Sequence, residues 1–240
     1  MRASSTMTHY YDELETQDTQ TRQEALIKAV AAQVAHAKNN TVAYGKIFAD
    51  IKPDELTSVG AIAQLPLTRK SALIELQAAA KPFGGLAAVR PPELTHIFAS
   101  PGPIYEPGSK RKDFWRFSRA LYATGFRKGE LVHNCFSYHF VPAGLMLESG
   151  AHALECAVIP AGVGQTELQV QTIADLRPDG YVGTPSFLKI ILEKADDMGA
   201  DVSSMKKALV SGEALPPPLR EGFKKRGIQV LQCYATADLG

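Results

Sequence analysis

Charge of one sign is missing from this chain: 26 lysines and arginines face 25 aspartates and glutamates, a formal net charge of +1 over 240 residues. Without a one-sided field nothing draws the chain to nucleic acid or an anionic membrane, and a small-molecule partner is the expectation. Long apolar runs are missing too. No stretch approaches the about 20 apolar residues of a spanning helix, and the opening MRASSTMTHYYDELE lacks the apolar core of a signal peptide. No membrane partner and a cytoplasmic location are therefore expected. Cysteine is scarce. Cys135, Cys156 and Cys233 have no paired spacing of the kind a zinc site or a redox dithiol needs, and are expected to be buried, reduced thiols. There is no Gly-x-Ser-x-Gly elbow and no Gly-Lys-Ser/Thr phosphate loop, which argues against hydrolase and P-loop kinase readings.

What is present is an ordinary globular composition, 45% hydrophobic and 21% charged, with room for one large core. Residues 1–17 read as a flexible tail, 18–92 as a helical region and 93–240 as an α/β region. Over 18–49, alanines 25, 29, 32, 35 and 37 among Leu26, Val30 and Val34 give helical spacing with an interruption near Asn39 and Asn40. A second helix is expected from Thr68, whose hydroxyl can cap the first amides. This helical front offers a surface for a homodimer.

From Leu94 short apolar runs alternate with helical patterns. Strands are expected over 94–99, 131–135, 156–160, 180–183, 208–211 and 229–234, and helices over 113–124, 141–154, 167–176, 187–198 and 217–226. Such alternation implies a mostly parallel sheet with helices on both faces, because parallel strands need crossover connections. Ligands in these sheets bind beyond the carboxyl ends of strands, which points to the loops beginning at Ser100, Phe136, Gly183, Ser211 and Tyr234. The chain stops at Gly240 in a loop of small residues, which reads as a truncation.

Two of these loops carry suitable chemistry. In YATADLG, an aromatic ring able to stack on a purine, a threonine hydroxyl able to donate to phosphate and an aspartate suited to magnesium lie within five positions. In LVSGEA, Gly212 allows close backbone approach to a ligand. Each has a plainer reading as a polar turn, with Glu213 near the positive end of the helix that follows Pro216. Gly183, Thr184 and Pro185 end a strand and open a helix, where free amides can meet an anion or Thr184 can simply cap.

LVSGEALPPPLR followed by QCYATADLG resembles the paired nucleotide loops of adenylate-forming enzymes, usually written near Gly-Gly-Glu and Tyr-Gly-x-Thr-Glu. With PLTRKSAL, FASPGPIYEP, LVHNCFSYHF and VIPAGVGQTELQ, the whole is similar to the N-terminal portion of the phenylacetate:CoA ligase-like branch of that superfamily. The resemblance implies an incomplete large N-terminal domain, without the mobile C-terminal domain and its adenylation lysine. It implies an enzyme that activates a carboxylic acid, of aryl or phenylacetate-like type, with ATP and Mg2+ to an acyl adenylate, then passes it to coenzyme A. It also implies that this portion alone turns over poorly.

Carried over residue by residue, Tyr234 stacks on adenine, Ser211, Gly212, Glu213 and Ala235 line the nucleotide, Thr236 meets the α-phosphate and Asp238 is the magnesium ligand. Phe136, Tyr138 and His139, with Gly183, Thr184 and Pro185, face the acyl group. His139 reads equally well as an ordinary packed residue, and His133 and His152 as structural. Where the family has its phosphate cradle, near Ser-Ser-Gly-Thr-Thr-Gly-Lys-Pro, this chain has SPGPIYEP. Ser100 and Gly102 remain from it, two prolines remove amide donors, and Glu106 stands in place of a lysine. Were Glu106 to face the phosphates, exchanging attraction for repulsion at ~4 Å would involve interactions of about 4 kcal/mol. Lys110, Arg111 and Lys112 could supply the charge instead, or form a solvated basic face. A nucleotide- or acyl-binding homologue without turnover, and AMP transfer to a cofactor acid without CoA, are the alternatives.

Overall fold

Asp18 starts the first helix by accepting the Thr21 amide hydrogen at 2.9 Å, the cap expected of a carboxylate before an apolar-periodic run. In this computed structural model, which describes residues 9–100 and 104–240, α1 (Thr19–Asn40) ends where Thr41 leaves helical geometry. The Thr41 hydroxyl then caps α2 (Val42–Ile47) by accepting from the Tyr44 amide at 3.1 Å. Val34 and Ala37 pack with Phe48 and Leu56 into a small core. Two units follow from the packing, Met1–Ser109 and Lys110–Gly240.

The first unit continues through α3 (Val59–Ile62) and α4 (Leu73–Ala79) to a hairpin of β1 (Ile97–Ser100) and β2 (Ile104–Pro107). Two expectations are corrected here. No helix starts at Thr68: its hydroxyl lies 3.1 Å from the Tyr44 hydroxyl, so a tertiary bond takes the group that would have capped, and a 3-10 turn at Lys70–Ala72 leads into α4. The first strand does not join the parallel sheet but pairs antiparallel with β2, in the register Ser100↔Ile104. Only residues 101–103 separate these strands, too few for a crossover. Gln77 of α4 clamps β2, donating to the Tyr105 carbonyl at 2.9 Å and accepting from its amide at 2.8 Å.

The second unit holds five parallel strands in the order β4-β3-β5-β6-β7: β3 (Leu131–Asn134), β4 (Ala157–Ile159), β5 (Gly180–Gly183), β6 (Lys207–Val210) and β7 (Gln229–Gln232). Between them run α5 (Phe117–Thr124), α6 (Ala143–Ala153), α7 (Thr166–Leu176), α8 (Pro185–Met198) and α9 (Pro217–Lys225). In α8 the capping Thr184, proline at the first helical position and left-handed Gly199 mark both ends. Its Leu188, Ile191, Leu192 and Ala195 recur at helical spacing and are buried with Tyr181, Val210 and Phe223 in the main core. At the amino ends of the strands, Lys207 Nζ donates to the Gly125 carbonyl and to both Glu130 carboxylate oxygens at 2.7 Å. No helix among the described residues is long and apolar enough to cross a membrane.

Candidate functional site

β6 and β7 lie side by side and parallel, so the loops that leave them emerge at one rim. The ladder runs on past the strand ends: the Cys233 amide donates to the Val210 carbonyl at 3.0 Å, and the Ser211 hydroxyl to the Cys233 carbonyl at 2.9 Å. The Gln232 side chain ties the turns together, its amide nitrogen donating to the Glu213 carbonyl at 2.9 Å and its oxygen accepting from the Leu215 amide at 3.3 Å. A cavity of about 720 Å³ lies there, lined by residues 211–214, 232–235 and Arg220. The Tyr234 ring borders it and is 90% exposed, an apolar face open to stacking.

Gly212 has φ +85°, a region that L side chains rarely adopt. A Cβ built on it would lie 3.5 Å from Thr184 Cγ2 and 3.9 Å from Phe136 Cε1, so the turn passes close over the loops that follow β5 and β3. Those loops flank the place where strand order reverses, since β3 has β4 on one side and β5 on the other. In sheets of this class that crevice is where ligands settle.

Thr236 closes the final turn, its hydroxyl accepting from the Leu239 amide at 3.1 Å and its carbonyl from the Gly240 amide at 2.9 Å. Trp115 Nε1 donates to the Ala237 carbonyl at 3.2 Å and the Arg116 guanidinium to the Leu239 carbonyl, which anchors this segment at the start of α5. Asp238 is exposed, and neither it nor Thr236 lines the cavity beside Tyr234. Among the described residues no three His, Cys, Asp or Glu side chains cluster as a metal cage. One exposed carboxylate fits magnesium, which takes one or two protein carboxylates and draws its remaining ligands from phosphates and water.

The other candidates separate into groups. Phe136 is buried with its amide donating to Asn134 Oδ1 at 3.1 Å, and its ring edges the crevice under Gly212. Tyr138 turns toward α6: its hydroxyl accepts from Asn134 Nδ2 at 2.8 Å and donates to Glu148 at 2.7 Å. Burial, then the Glu148 carboxylate, pushes this phenol well up, so it stays a donor. His139 is exposed, its ring edge-on to the exposed Phe140 at 4.7 Å. Gly183 lies inside the sheet under the Tyr181 ring, and Pro185 is buried at the start of α8. Thr184 caps α8, accepting from the Phe187 amide at 3.3 Å. The carboxylate of Glu213 lies at the start of α8, where it accepts the Ser186 amide hydrogen at 2.7 Å.

Ser100, in the first unit, pairs with Ile104 in the hairpin, and Gly102 lies outside the described residues. Glu106 is only 6% exposed, and its Oε1 accepts from the Lys70 ammonium at 3.2 Å, so its charge has a partner inside its own unit. Sequence reasoning missed Arg220, Gln232, Ser186 and Trp115, residue types with no motif of their own. It also missed the buried Gln169, whose amide donates to the carbonyls of Gly162 and Gly164 at 3.0 and 2.7 Å. Gln169 Oε1 lies 2.9 Å from both His133 Nε2 and Cys135 Sγ.

No family model matches the chain. It is 32% identical to the phenylacetate-coenzyme A ligase of Aromatoleum evansii, over 86% of this chain and 48% of that one. It is 31% identical to the phenylacetate-coenzyme A ligase of Pseudomonas putida, over 95% of this chain and 54% of that one. The chain thus spans about half the length of the curated relatives it matches. Among solved structures, an open conformation of 2-hydroxyisobutyryl-CoA ligase in complex with 2-HIB-AMP and CoA superposes with a TM-score of 0.90 over 98% of this chain and 55% of that one, at 22% identity. The shared fold is the α/β architecture expected from the alternating pattern.

Proposed function

Because the chain belongs to the phenylacetate-CoA ligase-like branch of the adenylate-forming enzymes, as a portion spanning about half its relatives' length, we propose that it forms the nucleotide- and acyl-facing part of an acid:CoA ligase. In that reaction a substrate carboxylate attacks the α-phosphorus of ATP and pyrophosphate leaves, giving an acyl adenylate. The thiol of coenzyme A then attacks the acyl carbon, and AMP leaves with the C–O bond electrons. An aryl or phenylacetate-like acid suits a crevice edged by Phe136.

The observation that supports this reading most is the shared rim, where the Gly212 turn and the Tyr234 ring border one cavity. Tyr234 offers its face to the purine, while Ser211, Gly212, Glu213 and Ala235 form the wall beside it. Thr236 keeps a hydroxyl hydrogen for the α-phosphate, and Asp238 would hold magnesium, whose charge eases attack on the phosphate when bound. Phe136 and Thr184 edge the acyl side. Gly183 and Pro185 serve them by fixing the strand-to-helix turn.

A second reading, nucleotide or acyl binding without turnover, is favoured by one observation. Ser100 and Ile104–Pro107 belong to paired antiparallel strands, and Glu106 is engaged with Lys70. Pyrophosphate release from ATP with a panel of aryl acids, with products weighed by mass spectrometry, separates the readings. Acyl-CoA supports the ligase; binding without pyrophosphate release supports the second; an AMP adduct of another acid points to transfer without CoA. Slow acyl-CoA formation by these 240 residues alone is part of the proposal, and formation at the rate of a full-length relative would contradict it.

A further inference from the structure

Glu213 is held at both ends. Its Oε1 accepts the Ser186 amide hydrogen at 2.7 Å in the first turn of α8, and its carbonyl accepts from Gln232 Nε2 at 2.9 Å at the end of β7. Gly212, just before it, contributes no side chain to pack, and even a Cβ there would make no contact closer than 3.5 Å. The place of the 211–214 turn therefore depends on hydrogen bonds at its flanks. The strongest is the one from a helix amide to a carboxylate, because charge on the acceptor and the positive end of α8 act together.

We propose that the Glu213 carboxylate is a positioning group: by filling the amide end of α8 it holds the 211–214 turn as one wall of the nucleotide cavity, without itself touching the nucleotide. The proposal rests on the nucleotide reading above. It has a corollary for α8. Its Ser186 amide is taken by Glu213 and its Phe187 amide by Thr184, so this helix end is filled by the protein's own oxygens and serves no substrate anion.

The test is calorimetric titration of the 240-residue chain with AMP, with a thermal melt of each variant. Glu213→Ala is expected to weaken AMP binding about 5- to 10-fold, the worth of one charge-assisted hydrogen bond partly open to solvent. Glu213→Gln, whose amide oxygen can accept the same hydrogen without charge, is expected to recover most of that loss. Ser186→Pro removes the donated hydrogen and leaves the cavity lining intact; proline is tolerated in a first helical turn, as Pro217 and Pro218 of α9 illustrate. It is expected to reproduce the loss, and the Glu213→Ala/Ser186→Pro double variant to add nothing further. Wild-type affinity in Glu213→Ala would overturn the proposal. So would a folded Ser186→Pro that binds like wild type while Glu213→Ala is weakened, since the carboxylate would then touch the nucleotide directly. If Ser186→Pro melts early, the Gln-against-Ala comparison decides. Absence of AMP binding in the wild type would sink the nucleotide reading itself.

Discussion

Replacing Gly183 by alanine should be far more damaging than one methyl group suggests. The added Cβ would sit 2.1 Å from Tyr181 Oη and 2.5 Å from its Cζ, well inside contact distance. β5 cannot yield, because it is buried along its length and bonded on both sides, to β3 and to β6. The Tyr181 ring must move instead, and its hydroxyl then loses the 3.0 Å bond it donates to the Thr184 carbonyl. Overpacking costs about 1–3 kcal/mol, and a buried hydroxyl left unpaired costs about 1–3 kcal/mol. The sum, about 2–6 kcal/mol, corresponds to a fall in melting temperature of roughly 4–24 °C for a chain of this size. Urea denaturation followed by circular dichroism measures it. Tyr181→Phe alone should cost about 1 kcal/mol, and the double variant less than the sum, since the closest clashing atom is gone. A Gly183→Ala protein within 1 kcal/mol of wild type would refute this account of the sheet interior.

His133 is fully buried beside Gln169, and burial holds its pKa below the usual 6.5. The unfolded chain therefore binds a proton that the folded one refuses: stability is complete above about pH 6.5 and falls below it, by at most about 1.4 kcal/mol per pH unit for this group; urea midpoints between pH 7.5 and 5 should flatten in His133→Asn, and an unchanged slope would count against it. Lys207→Met strands Glu130 beside the Gly125 carbonyl at a largely covered spot and should cost about 2–4 kcal/mol in the same assay. Lys70→Met leaves the buried Glu106 carboxylate without its ammonium partner, so Lys70→Met should be less stable than the Lys70→Met/Glu106→Gln pair; equal melting temperatures would show that the ion pair is idle.

The second unit was legible because its elements obey simple periods. β5 has the bounds read from Gly-Tyr-Val-Gly, and α8 begins two residues early only because Thr184 and Pro185 supply the cap and first turn. β6 and β7 are neighbours, so the Gly212 and Tyr234 loops share a rim, as the resemblance to paired nucleotide loops requires. The reversal of strand order at β3 was not, since nothing local in Leu131–Asn134 encodes which strand lies on either side. β2 went unread because Ile104–Pro107 is short and proline-bounded, too few residues to display an alternating pattern. Glu213 reaching Ser186, and Gln232 reaching Glu213, span 27 and 19 residues between common residue types, a kind of contact that only the folded chain displays.

The central claim is that the rim formed by Gly212 and Tyr234 takes a purine nucleotide. AMP titrated calorimetrically into the wild-type chain and into Tyr234→Ala tests it most directly, because a ring 90% exposed can be removed with little change in melting temperature. Saturable binding by the wild type, weakened about 5- to 150-fold in Tyr234→Ala as one lost stacking face requires, is the expected result. Equal affinities in the two proteins, or no binding by either, would contradict it.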